Sequence, residues 1–334
     1  MGATLTLVDL AGSIALLLWG VHMVQSGVQR AFGPHMRRFL GRTLGDRFRA
    51  FLAGLGVTAI LQSSTATGLM AAGFAAGGLV DLMPALAVML GANVGTTLIV
   101  QLLSFDIGRV APVFVLVGVI LFRRERASQA RDLGRVAIGL GLMLMALEQL
   151  LSLMTPYEDV PSLRMLMGAL ATQPVIDVIL ATALTWAAHS SVATVLLTVS
   201  LAAKGVVPPE AAFALVLGAN LGSALNPLIE GSGNGDPVAR RVPAGNLINR
   251  AIGVVLGLAL LKWIGPWMVA LDPSAGRVVA DFHTLFNLVM AALFLPVLGP
   301  FGRFLVWLLP ARAVPSDPSM PVYLDDSARE TPAI

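Results

Sequence analysis

Cysteine is absent from all 334 residues, so neither a disulfide nor a thiolate-held metal belongs to this chain, and its redox compartment stays open. Charge is scarce too. Asp, Glu, Lys and Arg together make up 12% of the residues, where an ordinary soluble domain carries about a quarter. The net charge of +3 and a pI near 9.9 would suit nucleic acid in a soluble protein. Here the arginines fall in what reads as loops between apolar spans, so membrane orientation accounts for them and no nucleic-acid partner is expected.

What the chain has instead is apolar length. Hydrophobic residues reach 56% and the mean hydropathy is +0.82. Windows at Leu10–Val28, Ala85–Leu103, Leu133–Met154, Ala211–Ile229, Ala251–Ile264 with its preceding turn, and Leu285–Leu309 suit a hydrocarbon core about 30 Å thick. The first window has no basic flank before it and no small-residue cleavage site after it, and reads as a retained helix rather than a signal peptide. An all-α polytopic protein of the cell membrane follows, with the lipid bilayer as its first partner.

The chain repeats itself at an offset of 127 residues. Gln62-Ser63-Ser64-Thr65-Ala66-Thr67 returns as His189-Ser190-Ser191-Val192-Ala193-Thr194. Gly91-Ala92-Asn93-Val94-Gly95-Thr96 returns as Gly218-Ala219-Asn220-Leu221-Gly222-Ser223 at the same offset. Leu61–Thr97 shares 16 identities in 37 positions with its counterpart. Apolar bias inflates such a score but cannot put two polar motifs in register, so the chain carries a duplication.

Loop charge indicates how the copies are oriented. Between Arg30 and Ala50 stand Arg30, Arg37, Arg38, Arg42, Arg47 and Arg49 against Asp46 alone. The shifted counterpart, Tyr157–Asp177, carries Glu158, Asp159 and Asp177 against Arg164. The positive-inside rule puts the first loop in the cytoplasm, together with the arginine-rich stretch Arg123–Arg135, and puts the second outside. Equivalent loops on opposite faces predict two inverted-topology repeats. Parity between Ala50 and Arg123 makes Phe51–Val80 a re-entrant helical hairpin, matched by Val178–Val207; the alternative lets these segments cross fully while another piece does not. The predicted organisation is a first repeat over 1–122, a cytoplasmic basic linker over 123–135, and a second repeat over 136–265. A C-terminal transmembrane segment over 266–310 and a disordered cytoplasmic tail over 311–334 complete it.

A hairpin tip inside a membrane leaves backbone groups that lipid cannot satisfy. A helix starting at Ser63 or Ser64 offers free N–H groups and a positive dipole end, which suit an oxyanion. Ser63, Ser64, Thr65 and Thr67 add hydroxyls and Gln62 an amide; the second tip offers His189, Ser190, Ser191 and Thr194. The Gly-Ala-Asn-x-Gly motifs read as breaks in the following helices. Asn93, Asn220, Thr96, Thr97 and Ser223 would supply neutral oxygens there for a cation such as sodium. With basic residues nearly absent from these cores, a co-bound cation would offset the anion's charge. Against this, serine and threonine in membrane helices commonly bond back to a carbonyl or hold helices together. Gly73-x-x-x-Gly77 reads as a helix-packing pattern.

Glu148, Asp177, Glu230, Asp281, His22 and His283 lie in or near apolar spans. Of these, Asp177, Glu230 and Asp281 are equally placed at span ends, where water would solvate them. Asn246, Asn249 and Asn287 are candidates to brace the site from behind. His189-Ser190 adjacency raises an intramembrane serine hydrolase, but helix neighbours point about 100° apart, and no Gly-x-Ser-x-Gly elbow supports it. An enzyme is not expected.

The paired motifs resemble the sodium–phosphate cotransporter family, whose signature is a Gln-Ser-Ser motif in each of two inverted repeats. The likeness runs over roughly Leu10–Leu309, including Gly20–Arg49 and His283-Thr284-Leu285-Phe286-Asn287. It implies sodium-coupled phosphate symport by alternating access, with sodium as the coupling ion and no other cofactor, in a bacterial inner membrane. Phosphate would bind at Gln62, Ser63, Ser64, Thr65, His189, Ser190 and Ser191. Sodium would be held through Gln62, Ser64, Ser191, Asn93 and Asn220, with Thr67, Thr96, Thr97, Thr194 and Ser223 beside them. Two departures stand out: His189 replaces the usual glutamine, and Val192 stands where a hydroxyl is common. A transporter of another oxyanion, a proton-coupled phosphate carrier, a channel and a regulatory membrane subunit remain the alternatives. With only a short polar tail after Leu309, the resemblance is expected to be to members without the PhoU-like domain that some bacterial relatives carry. Oligomeric state has no signature here.

Overall fold

The structure, a computed structural model, describes residues 2–42, 45–104, 110–123, 128–154, 172–231 and 237–311. These residues form helices α1 Gly2–Arg42, α2 Arg47–Leu61, α3 Ser64–Ala76, α4 Leu82–Leu103, α5 Ala111–Phe122 and α6 Ser128–Met154. They continue as α7 Pro174–Ala188, α8 Ser191–Ala203, α9 Pro209–Glu230, α10 Pro237–Leu271 and α11 Ala275–Leu308. No strand occurs among the described residues. The protein is an all-helical, multi-pass membrane protein.

Six helices carry stretches long and apolar enough to cross a bilayer: Val8–Gly41, Leu82–Leu103, Gln129–Leu153, Pro209–Glu230, Pro237–Leu271 and Ala275–Leu308. Each overlaps one of the six windows found by hydropathy, to within a residue at its end. Helices α2 and α7 have 15 residues each, and α3 and α8 have 13. At about 1.5 Å per residue these arms reach only about 20–23 Å, short of a hydrocarbon core of about 30 Å. Each pair therefore forms a two-armed hairpin rather than two crossings.

The 127-residue offset holds element by element. It carries α2 onto α7, α3 onto α8 and α4 onto α9 with identical boundaries. Helix α2 packs along α4 and α7 along α9, while α6 lies against both α1 and α5. Arg131 and Arg135 sit over the Phe122 ring at 5.1 and 5.6 Å, pinning the end of α5 to the start of α6. Helix α11 packs against α4, α8, α9 and α10.

The structure departs from the sequence reading in several places. The basic segment after Val28 is not a loop, because α1 runs on through Arg30, Arg37 and Arg38 to Arg42. Arginine, methionine and leucine are good helix formers, Pro34 removes a single backbone bond, and wholly buried Leu40 anchors the far end. Residues 128–135 of the supposed linker are likewise the first turns of α6. The Gly-Ala-Asn-x-Gly motifs do not break their helices; α4 and α9 are continuous through Gly91–Gly95 and Gly218–Gly222. Their glycines serve close approach instead. A Cβ at Gly91 would run into the Phe51 carbonyl, and one at Gly218 into the carbonyl of Val178, the equivalent residue. Lastly, Gly73 faces open space, and Gly77 meets only its own helix end, so that pair makes no helix contact.

Asp177 is not solvated at a span end; it lies in the first turn of α7 at 2% exposure. Most of the acidic counterpart segment (155–171), part of the linker (124–127) and the tail beyond 311 lie outside the described residues.

Candidate functional site

Each hairpin turns on one residue in the left-handed region. Gln62 closes α2 at φ 53 and ψ 27, and His189 closes α7 at φ 51 and ψ 24. Among the described residues these are the two non-glycine residues with positive φ. Such backbone costs of order 1–3 kcal/mol and collects at functional sites. The next residue swings to extended geometry and caps the following helix. Ser63 Oγ accepts from the Ala66 N–H at 3.1 Å, and Ser190 Oγ from the Ala193 N–H at 3.2 Å. A buried hydroxyl clasp ties the arms together in both copies: Thr58 Oγ1 donates to Thr67 Oγ1 at 2.8 Å, and Thr185 Oγ1 to Thr194 Oγ1 at 2.9 Å.

The two tips meet at one small, constricted cavity. From the first copy it is lined by Gln62, Ser63, Ser64, Thr65 and Thr96; from the second by His189, Ser190, Ser191, Val192 and Ser223. Helices α3 and α8 begin at this cavity. Their caps and first carbonyls satisfy Ala66, Thr67, Ala193 and Thr194. The N–H groups of Ser64, Thr65, Ser191 and Val192 have no acceptor within their own helices. The wall thus presents two positive dipole ends, hydroxyls and amides, with no lysine, arginine, aspartate or glutamate among its lining residues. That combination fits a small anion, whose oxygens accept from such donors.

Two lining residues escaped the sequence reading. Gln25 reaches across from α1, its Nε2 donating to the Gln62 carbonyl at 2.9 Å. Asn226 lines the cavity at 2% exposure, with neither amide atom partnered among the described residues. Its repeat counterpart is Ile99, so the duplication does not flag it. At the rim, His189 Nδ1 lies 3.2 Å from Glu230 Oε1, with both side chains partly exposed.

Most of the remaining candidates lie behind the wall. Thr67 and Thr194 form the clasps, and Thr97 Oγ1 donates back to the Val94 carbonyl at 2.8 Å. Thr96 and Ser223 likewise donate to the carbonyls of Asn93 and Asn220, at 2.7 and 2.8 Å, while still facing the cavity. Asn93 and Asn220 are buried without lining it. The expectation that basic residues are nearly absent from the core fails at Arg250, which is 2% exposed on α10. Its Nη1 donates to the side-chain oxygens of Asn220 and Asn287. Burying an ion costs several kcal/mol; amide acceptors recover about 1.5–3 kcal/mol each, and these two offset much of that cost here. His283 is fully buried nearby, neither ring nitrogen having a partner among the described residues. No group of three or more His, Asp or Glu side chains is placed to hold a metal ion among the described residues.

A family profile described as Na+/Pi-cotransporter matches residues 16–152 and 159–232. Over 330 residues the chain is 37% identical to the "Putative inorganic phosphate export protein YjbB" of Escherichia coli (strain K12), covering 99% of this chain and 61% of that protein. The protein of the same name from Salmonella typhimurium is also 37% identical, over 335 residues, with 61% of its length covered. The "Uncharacterized protein YqeW" of Bacillus subtilis is 27% identical over 314 residues, which cover all of it and 92% of this chain. This chain thus spans about three fifths of the length of the curated relatives named for phosphate export. No solved structure matches it.

Proposed function

The chain belongs to the Na+/Pi-cotransporter family, and from that premise we propose that it carries inorganic phosphate across a bacterial inner membrane, coupled to sodium. The observation that carries this reading is the single cavity on which both Ser-Ser tips converge, with two helix N-termini facing it. Phosphate is held by hydroxyls, amides and N–H groups from Gln62, Ser63, Ser64, Thr65, His189, Ser190 and Ser191. Gln25 and Asn226 extend that wall. Thr96, Ser223 and the unpartnered oxygen of Asn93 supply sodium with neutral oxygens close by.

The two copies lie in opposite orientations, with the arginine-rich segments and the tail in the cytoplasm. Each short hairpin moves with its packed neighbour against a frame made from the first and last helices, so the cavity opens to one side at a time. Sodium binds first and raises phosphate affinity by neutralising charge.

Proteoliposomes test this directly. An inward sodium gradient should drive radiolabelled phosphate above its equilibrium level. Accumulation that follows a proton gradient and ignores sodium would move the coupling ion; no phosphate flux under either would end the proposal. The name of the Escherichia coli and Salmonella relatives favours a second reading, net export. Phosphate-loaded vesicles that empty against an inward sodium gradient would support it.

His189→Gln is expected to transport within about fivefold of the parent, because an exposed side-chain contact such as that with Glu230 is worth at most about 1 kcal/mol. Gln62 already shows that glutamine accepts this backbone conformation at the equivalent tip. Uptake rates at fixed sodium measure it. A loss beyond a hundredfold would mean that the imidazole itself handles the anion.

A further inference from the structure

The two copies differ beside their repeated asparagines, and the difference is a charge. In the first copy Asn93 Nδ2 donates to Asn246 Oδ1 at 2.9 Å, and Asn93 Oδ1 is buried with no partner among the described residues. In the second copy Asn220 Nδ2 turns back to the Val216 carbonyl at 2.9 Å. Asn220 Oδ1 accepts from Arg250 Nη1 and, at 3.1 Å, from Asn287 Nδ2. Arg250 Nη1 also donates to Asn287 Oδ1 at 2.8 Å. Two amide oxygens therefore converge on one guanidinium nitrogen, and no carboxylate among the described residues pairs with it.

Resting on the sodium-coupled reading, we infer that Arg250 is a tethered cation, filling beside Asn220 the place that a sodium ion takes beside Asn93. The asparagine pair then hosts one mobile ion rather than two. Arginine has donors and no acceptor, so the convergent amide oxygens serve it as they would serve a metal ion. With both Arg250 and Asn287 donating to it, the Asn220 oxygen is already committed. A second positive ion there would also meet the full repulsion of the guanidinium in a medium that screens poorly.

Among the described residues the first copy places no such cation beside Asn93. The repeat equivalent of Arg250 is Arg123, exposed at the end of α5. Asn287 belongs to α11, which follows both copies and has no counterpart in them. The charge also acts on the anion. Ser223 lines the cavity and donates to the Asn220 carbonyl, so the guanidinium sits one residue layer behind the wall. Part of the neutralisation that phosphate needs is built into the protein.

Sodium binding to the purified full chain, measured with radioactive sodium, separates the copies. Asn93→Asp gives the mobile ion a charged ligand and should tighten sodium about tenfold, since ligand charge sets affinity at such sites. Asn220→Asp should pair with Arg250 and leave sodium affinity within about twofold. Arg250→Gln, which removes the charge and keeps an amide, should bind one more sodium ion per chain. Equal tightening in the two aspartate variants overturns the inference, as does a folded Arg250→Gln with an unchanged ion count. If Arg250→Gln does not fold, the aspartate pair still decides. Sodium-driven phosphate uptake with both aspartate variants behaving alike would sink this inference alone; phosphate flux that needs no sodium would sink the sodium-coupled reading on which it rests.

Discussion

Replacing Ser64 and Ser191 together by alanine should lower phosphate transport by about two to four orders of magnitude in a protein that still folds and inserts. Both residues line the cavity at 8% exposure, each in the first turn of a helix that begins there. A hydrogen bond to a charged partner is worth about 1.5–3 kcal/mol, and about 1.4 kcal/mol is tenfold in affinity. Two lost bonds therefore sum to about 3–6 kcal/mol. The structural cost is small, because the caps are made by Ser63 and Ser190 rather than by these residues. Uptake assays on vesicles matched for protein content would read the loss, with thermal melting as the check on folding. Wild-type uptake by the double variant would remove these serines from the site.

A comparably large effect is expected from a single methyl group far from the anion. At Gly91 a Cβ would overlap the Phe51 carbonyl and lie 2.8 Å from Leu55 N; at Gly218 it would meet the Val178 carbonyl and lie 2.8 Å from Ala181 Cβ. The obstacle at each is neighbouring backbone, which has no alternative rotamer, so the hairpin arm itself must move. Overpacking of this kind costs about 1–3 kcal/mol. A tip displaced by about 1 Å can cost about a hundredfold in function. Gly91→Ala and Gly218→Ala should therefore melt earlier and transport about a hundredfold more slowly. Gly12→Ala is the control, since nothing lies within 4 Å of its Cβ position. Identical behaviour of all three would show that the tips are not held by this packing.

The parts legible in the sequence were those that the duplication wrote twice. Polar motifs in register fixed where the hairpins turn, and the helices α2, α3 and α4 reappear in the second half with unchanged boundaries. The Ser-Ser pairs face the shared cavity because a motif at a tip is local information. What escaped depends on partners distant in sequence. Gln25 matters through a bond to Gln62 across 37 residues, and Asn226 through a place that its counterpart Ile99 does not share. Arg250 was hidden by the habit of assigning arginines to loops; only tertiary structure brings Asn220 and Asn287 around it. The glycine motifs were misjudged for a related reason. Glycine permits a helix break and equally permits close helix contact, and sequence alone does not separate the two.

The close seating of α2 on α4 also sets an order of events during synthesis. The hairpin arms are too short to reach across the bilayer, and the turn between Leu61 and Ser64 cannot be left to lipid. The helix that covers the hairpin ends at Leu103, and at about 5–20 residues per second the ribosome needs roughly 2–8 s to get there from Leu61. For that interval the nascent tip must be sheltered by water or by the insertion machinery. The second hairpin is made into a different setting, with the whole first half already present to receive it. The units α2–α4 and α7–α9 share their boundaries, but the first must be assembled without the partner that the second finds waiting.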